Sequence, residues 1–282
     1  MKKFRYVIEA ALVRLLISFF GMLSPARASA IGGALLGMVG PMLSSKRKAL
    51  RHITDSLPVD DGQARKILRG MWDNLGRIFA EYPHLYNIAE NHIILEGYEH
   101  LDGLAQSATP AIFFSAHLAN WEISAPALRP YNIDVDLIYR APNNPYVEDI
   151  LQQCRSMNGA LRTYPKSSQG MRQVVSALKQ GRRIGILIDQ KYNQGVEADF
   201  FGRPAMTSTA FIQLAKKFQC PLIPVRVERL DGVEFRVSFY PSLDISKDED
   251  TLLKEAHSIL ESWITERPEQ WLWLHKRWKV SN

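Results

Sequence analysis

The sequence predicts an α/β protein with a mainly parallel central sheet flanked by helices, preceded by an apolar helical segment at the N-terminus. Three observations carry this expectation. From residue 92 onward, short apolar runs ("HIILEG", "AIFFSA", "VDLIYR", "LRTYP", "RIGILID", "PLIPVRV") alternate with segments of helical period, the pattern of βαβ units. A further run, "VEFRVSFYPSL", alternates strictly and suits an antiparallel strand added at one end of the sheet. Apolar residues make up 46% of the 282-residue chain, enough for a sizeable core and too many for wholesale disorder.

The elements follow in order. In "MKKFRYVIEAALVRLLISFFGML", Val7, Ile8, Ala11, Leu12, Leu15, Leu16, Phe19 and Phe20 recur at helical spacing, so the run reads as a helix with one apolar stripe. Lys2, Lys3 and Arg5 ahead of it, and the later "ASA", also resemble parts of a signal peptide, but Glu9 and Arg14 interrupt the apolar run. The uncharged stretch from Ala28 to Leu43 carries four glycines and is shorter than the roughly 20 apolar residues of a membrane span. An interfacial anchor or short helical hairpin is therefore expected over residues 1–43, with burial in a soluble fold as the alternative. Residues 44–282 are expected to form the main α/β domain.

Its first segment, with Lys46, Arg47, Lys48 and Arg51, is placed to meet phospholipid headgroups. The stretch from Asp60 to Ile88 reads as one or two helices that bury Ile67, Leu68, Met71, Leu75, Ile78 and Phe79, with a bend or stop at Pro83. Helices are expected near 121–129, 144–157, 168–180 and 208–219. A C-terminal helix over 248–266 turns Leu252, Leu253, Ala256, Ile259, Leu260 and Trp263 to one face.

A formal charge of +6 favours an acidic partner: nucleic acid, an anionic membrane or an acidic carrier protein. No nucleic-acid recognition motif accompanies the charge. Cys154 and Cys220 lie far apart without metal-ligand spacing, so reduced thiols are expected, with no metal and no cofactor.

Ligands of open α/β sheets bind at the carboxyl ends of strands. There the sequence places His117 after "AIFFSA", Arg140 after "VDLIY", and Asp189 with Gln190 after "RIGILI". Glu122, in a helical turn starting near Asn120, would reach back to one imidazole nitrogen, fix the tautomer and stabilise the imidazolium. Such a pair suits a general base acting on a hydroxyl. Ser115 and Ser124 lack a nucleophile elbow, so a covalent seryl intermediate is not expected.

"FFSAHLANWE" closely resembles the H-x-x-x-x-E block of the late acyltransferases of lipid A biosynthesis, the lauroyl/myristoyl family. "DLIYRAPNNP" resembles that family's Tyr-Arg block, "GILIDQKYNQGVEADFFGRPAMTST" its Asp-Gln, Phe-Phe-Gly and Thr block, and "PEQWLWLHKRWK" its closing Trp-His-Arg-Trp signature. Ala119 stands where the family usually has Gly, a change expected to be harmless.

The resemblance implies a glycerolipid-acyltransferase-like fold at the cytoplasmic face of the inner membrane. It implies transfer of an acyl chain from a thioester, acyl carrier protein favoured and acyl-CoA the alternative, to a hydroxyl of an anionic glycolipid. In that setting His117 takes the hydroxyl proton, and backbone N–H groups near Asn120 and Trp121 are candidate oxyanion donors. Arg140 enters the site, its fork suited to a phosphate. Asp189 is placed to hold the acceptor sugar, to orient Arg140 or to cap the loop; Gln190 is a candidate substrate-binding residue, and Phe201 is placed to line an acyl channel within a site-covering loop. His275, Arg277 and Trp278 are expected to be structural. Other acceptors, such as phosphatidylinositol mannosides or lysolipids, and a non-catalytic lipid-binding role are the remaining readings.

Overall fold

A computed structural model describes residues 2–101, 103–105, 108–156 and 161–278. Helix α1 (Lys2–Gly21) buries little beyond Ala10 and Phe20. The apolar stripe read from the sequence points away from the protein: Val7, Ile8, Leu12, Leu15, Leu16 and Phe19 are exposed. Helix α2 (Pro25–Val39) starts at Ser24, whose side chain accepts from the Arg27 N–H, with Pro25 supplying a preset first turn. No single helix is long and apolar enough to cross a membrane.

Why α2 docks so closely is visible at two glycines. A Cβ on Gly76 would lie 2.1 Å from the Gly32 carbonyl oxygen, and one on Gly32 would lie 2.5 Å from the Gly76 oxygen. Backbone meets backbone here, so even alanine would force the helices apart. Helix α2 also exposes Ile31, Leu35, Met38 and Val39. Helix α3 (Lys46–Ser56) buries Ala49, His52 and Ile53 and leaves Lys46, Arg47 and Arg51 outside.

Helix α4 (Asp61–Glu81) opens on a capping box between Asp60 and Gln63. It is buried on more sides than its stripe indicates, because α2 covers a second face. Phe79, expected in the core, is 54% exposed instead. Pro83 sits in a 3₁₀ turn leading to α5 (Leu85–Asn91), as a helix stop should.

The sheet comprises β1 (Ile93–Glu96), β2 (Ala111–Ser115), β3 (Val135–Tyr139), β4 (Thr163–Pro165), β5 (Arg183–Leu187), β8 (Leu222–Asp231) and β9 (Glu234–Phe239). Among the described residues its order is β1-β9-β8-β2-β5-β3-β4. Every pairing is parallel except β8 with β9. The antiparallel strand read from alternation is therefore real, but it is not the edge; β1 pairs outside it. Helices α6 (Pro145–Arg155), α7 (Ser168–Lys179), α8 (Ala210–Phe218) and α9 (Glu249–Glu266) flank the sheet.

Two expectations fail locally. The helix expected over 121–129 is a pair of 3₁₀ turns, Trp121–Ile123 and Pro126–Tyr131, because Pro126 and Pro130 interrupt regular i to i−4 bonding. The presumed loop after Asp189 holds a hairpin, β6 (Val196–Phe200) with β7 (Arg203–Thr207). Phe201 (φ 54) and Gly202 (φ 65) make its turn, the double left-handed geometry of tight hairpins.

The core has two halves. One sheet face packs Phe114, Phe211, Leu252, Trp263 and Trp271, and the other packs Phe113, Leu128, Val225 and Phe239. Strand β2, buried at all five positions, sits between them, and its carboxyl end becomes the site.

Candidate active site

Strands β2 and β5 are parallel neighbours, with Ser115 opposite Leu187. Continuing that register two residues brings His117 opposite Asp189. The His117 backbone N–H donates to Asp189 Oδ2 at 3.0 Å, and Nδ1 faces Asp189 Oδ1 at 2.8 Å. Trp271 adds its indole N–H to Oδ2 at 2.7 Å. A carboxylate only accepts, so Nδ1 carries the imidazole proton and Nε2 is left with a basic lone pair. The Gln190 side-chain amide lies 3.1 Å from Nε2 and donates to it.

Burial alone would raise the Asp189 carboxyl. Electrostatic attraction to the facing His117 ring and the bonds from His117 and Trp271 outweigh it and hold the group well below the usual carboxylate range. Asp189 thus stays ionised where ordinary aspartates, near about 3.9, begin to protonate.

Glu122 does not touch His117, which corrects the direct pairing expected from sequence. Left-handed Ala119 (φ 47) and the short turn after it swing Glu122 away. Its buried carboxylate instead accepts from Tyr82 OH at 2.7 Å, from Arg155 Nε at 2.7 Å and from Arg155 Nη2 at 2.6 Å. It also takes the Trp121 indole N–H at 3.1 Å, while the Trp121 ring meets the His117 ring edge-on at 4.9 Å. Desolvation pushes the Glu122 carboxyl up, but Arg155 and the other donors bring it below its ordinary value. Glu122 is therefore a buried, ionised anchor that holds Trp121, whose ring lies against His117.

Other expected residues divide. Arg140 lies at the exposed end of β3, with β5 between its strand and β2. Asn120, expected to bind substrate, is buried and absent from the cavity lining; its side chain donates to Glu81 Oε2 at 2.8 Å and accepts from the Glu122 N–H. Phe201 packs on Phe200, Trp271 and Trp273 and lies outside the cavity lining, because the hairpin turn carries it to the α9 side, where its N–H donates to Glu261.

Ser115 and Ser124 make no hydrogen bond to His117, whose ring nitrogens face Asp189 and Gln190. His275 accepts from the Lys191 N–H, while Arg277 binds Met206 O and Thr207, and Trp278 binds Phe200 O. Those three hold the hairpin and the loop after β5. Among the described residues, no three His, Cys, Asp or Glu side chains gather as metal ligands.

A cavity of about 1280 Å³ opens beside His117. Its lining includes Phe113, Leu128, Val135, Val225 and Phe239, all at most 5% exposed, so it continues into the interior of the sheet face that faces α5 and α6. Tyr82, Trp121, Glu122, Arg140 and Gln190 stand along it as well. The arrangement combines a carboxylate-oriented imidazole with a deep apolar recess, fitted to base-assisted chemistry on a substrate with a long hydrocarbon part.

Fold and site thus define an α/β protein with a His–Asp pair at the mouth of an apolar cavity. The family model described as "bacterial lipid A biosynthesis acyltransferase" matches residues 2–280, and the chain belongs to that family. A lipid A biosynthesis acyltransferase of Haemophilus influenzae is 23% identical over 184 residues, covering 63% of this chain and 56% of that protein. A lipid A biosynthesis palmitoleoyltransferase of Escherichia coli is 26% identical over 147 residues, covering 50% of this chain and 47% of that protein. A lauroyltransferase of the same organism is 24% identical, covering 65% of this chain and 61% of that protein. The chain thus spans about half to three-fifths of the length of these relatives.

Arg155, Tyr82 and Trp271 were not legible as site residues, although Trp271 falls in the closing signature. If Arg155 compensates a buried charge, Arg155→Ala should cost about 3–5 kcal/mol. Adding Glu122→Gln should recover a large part of that loss. Denaturant unfolding of the two single variants and the double variant checks this, and additive losses would refute the pairing.

Proposed function

We propose that the protein is a membrane-associated O-acyltransferase that moves a fatty acyl chain from an acyl thioester to a hydroxyl of a lipid A precursor. The observation that carries this reading is the Asp189-oriented His117 at the mouth of a deep apolar cavity. Family membership points to lipid A, and acyl carrier protein is the favoured donor, in keeping with the chain's +6 charge.

The acyl chain enters the recess between Leu128, Val135 and Val225, and its thioester carbon stops near His117. The acceptor hydroxyl displaces the Gln190 amide from Nε2. As its oxygen bonds to the thioester carbon, its proton passes to Nε2, and Asp189 stabilises the imidazolium that forms. The tetrahedral intermediate then breaks its C–S bond. The departing sulfur takes the proton from Nε2, leaving an ester, a free thiol and neutral His117. Gln190, released from Nε2, is placed to donate to the oxyanion. This direct transfer needs no acyl-enzyme.

Helices α1 and α2 together expose Phe4, Val7, Leu12, Leu15, Leu16, Leu35 and Met38, more large apolar side chains than scattered surface positions require. We assign this surface to the interfacial layer of the inner membrane at its cytoplasmic face. Lys46, Arg47 and Arg51 then lie beside anionic headgroups. The buried Asn144 side chain donates to Tyr6 O at 2.9 Å and to Glu9 Oε2 at 3.0 Å, clasping α1 to the segment that follows Arg140.

His117→Ala should lower kcat for acyl transfer by about 100- to 10,000-fold while leaving the fold intact. A purified variant that transfers at the wild-type rate would end this mechanism. Fractionation tests the membrane assignment: the full chain should sediment with membranes at low salt, less so without residues 1–23, and less still when salt is raised. Full-length protein found only in the soluble fraction at low salt contradicts it.

A further inference from the structure

Strands β3 and β4 pair in parallel with Tyr139 opposite Pro165. The next residue on each is Arg140 and Lys166, so two cations leave the same sheet edge side by side. The Lys166 N–H donates to Tyr139 O at 2.8 Å, which fixes that closeness in the backbone. Both side chains line the mouth of the cavity that holds His117, and Arg172 joins them from α7.

The two like charges lack the compensation found elsewhere in this protein. Arg155, Arg182 and Arg229 each face a buried carboxylate within 3.0 Å. Among the described residues, Arg140 and Lys166 form no ion pair with any carboxylate. Asp189 attracts the Lys166 charge but is already bonded to His117 and Trp271. Lys166 sits over the Tyr192 ring, 4.7 Å from its centroid. Lys166 is exposed to solvent yet lines the concave mouth, so its ammonium is only partly desolvated. That partial desolvation, then the Arg140 charge, lowers its pKa from the ordinary lysine value. Two cations held together in this way gain from an anion between them. The amino end of the 12-residue helix α7 adds its positive dipole end, since Ser167 caps it immediately after Lys166.

We propose that Arg140 and Lys166 form a phosphate-binding subsite at the cavity mouth, with Lys166 as its second cation. It rests on the acyl-transfer reading for the identity of the substrates: the phosphate belongs to the acceptor glycolipid or to the phosphopantetheine arm of the donor. With strands about 4.8 Å apart, the pair stands two to three strands from His117, roughly 10–15 Å along the sheet edge. The subsite therefore orients a substrate from a distance and does not touch the reacting carbon.

Binding without turnover tests it, because either substrate alone cannot react. One arm uses a bisphosphorylated, acylated glucosamine disaccharide in detergent micelles and its dephosphorylated counterpart. The other uses 4′-phosphopantetheine and pantetheine. Each is titrated against the full-length wild-type protein and against Arg140→Gln, Lys166→Gln and Lys166→Arg. Each Gln variant should weaken one phosphorylated probe roughly 10-fold. Its dephosphorylated partner should bind unchanged, and Lys166→Arg should retain most of the affinity. Loss in the lipid arm assigns the phosphate to the acceptor; loss in the pantetheine arm assigns it to the donor. Equal losses with phosphorylated and dephosphorylated probes, or variants that bind like wild type, overturn the subsite alone. Wild-type protein that binds neither phosphorylated probe overturns the subsite and the substrate reading together.

Discussion

The buried carboxylate of Asp189 is the interaction on which the site depends. It receives three hydrogen bonds, two from His117 and one from Trp271. An ionised carboxylate out of water is costly unless its oxygens are satisfied, and these donors satisfy them. In return they align three separate pieces of chain: the end of β2, the end of β5 and the C-terminal segment. The same segment donates the Leu272 N–H to His117 O at 3.2 Å and accepts the Ala119 N–H on Gln270 O at 3.0 Å. His117 is thus gripped by backbone as well as by its ring.

A second buried network stands behind the first. Arg229 donates to both oxygens of Glu81, at 2.5 and 3.0 Å, and to Asn74 Oδ1 at 3.1 Å. Glu81 also accepts from Asn120 in the His117 loop and from Ser29 in α2. Asn74 reaches the Ala119 carbonyl oxygen. The network joins the outward-facing apolar helix pair to the loop that carries His117. It also explains how Ala119 holds a left-handed conformation. That conformation costs an L-residue about 1–2 kcal/mol, and the bonds on both sides of Ala119 over-determine it.

Much of the sheet was legible in the sequence, because short apolar runs between helical segments have few other uses. His117, Asp189 and Arg140 were legible as strand-end residues for the same reason. What sequence could not give was pairing. H-x-x-x-x-E suggests a local contact, yet the partner of His117 lies 72 residues on, and that of Glu122 lies 33 residues on. Strand order decides those contacts, and chain order does not reveal that β5 lies beside β2. The hairpin over Val196–Thr207 escaped notice because Asp199, Pro204 and two alanines give it weak strand propensity. Its alternation of buried Ala198 and Phe200 with exposed neighbours is nonetheless present. The apolar stripe of α1 was read correctly as a stripe, while its outward direction needed the rest of the fold.

Asp189, rather than Glu122, contacts the imidazole proposed to take the proton. The most direct measurement is the steady-state acyl-transfer rate of Asp189→Asn beside Glu122→Gln, each checked for folding by its unfolding midpoint. An amide in place of the carboxylate presents an N–H to a ring or backbone N–H and cannot stabilise the imidazolium. Asp189→Asn should lose at least about 100-fold in kcat with KM little changed, and Glu122→Gln should lose less. A folded Asp189→Asn protein working at the wild-type rate, with Glu122→Gln inactive, would contradict it.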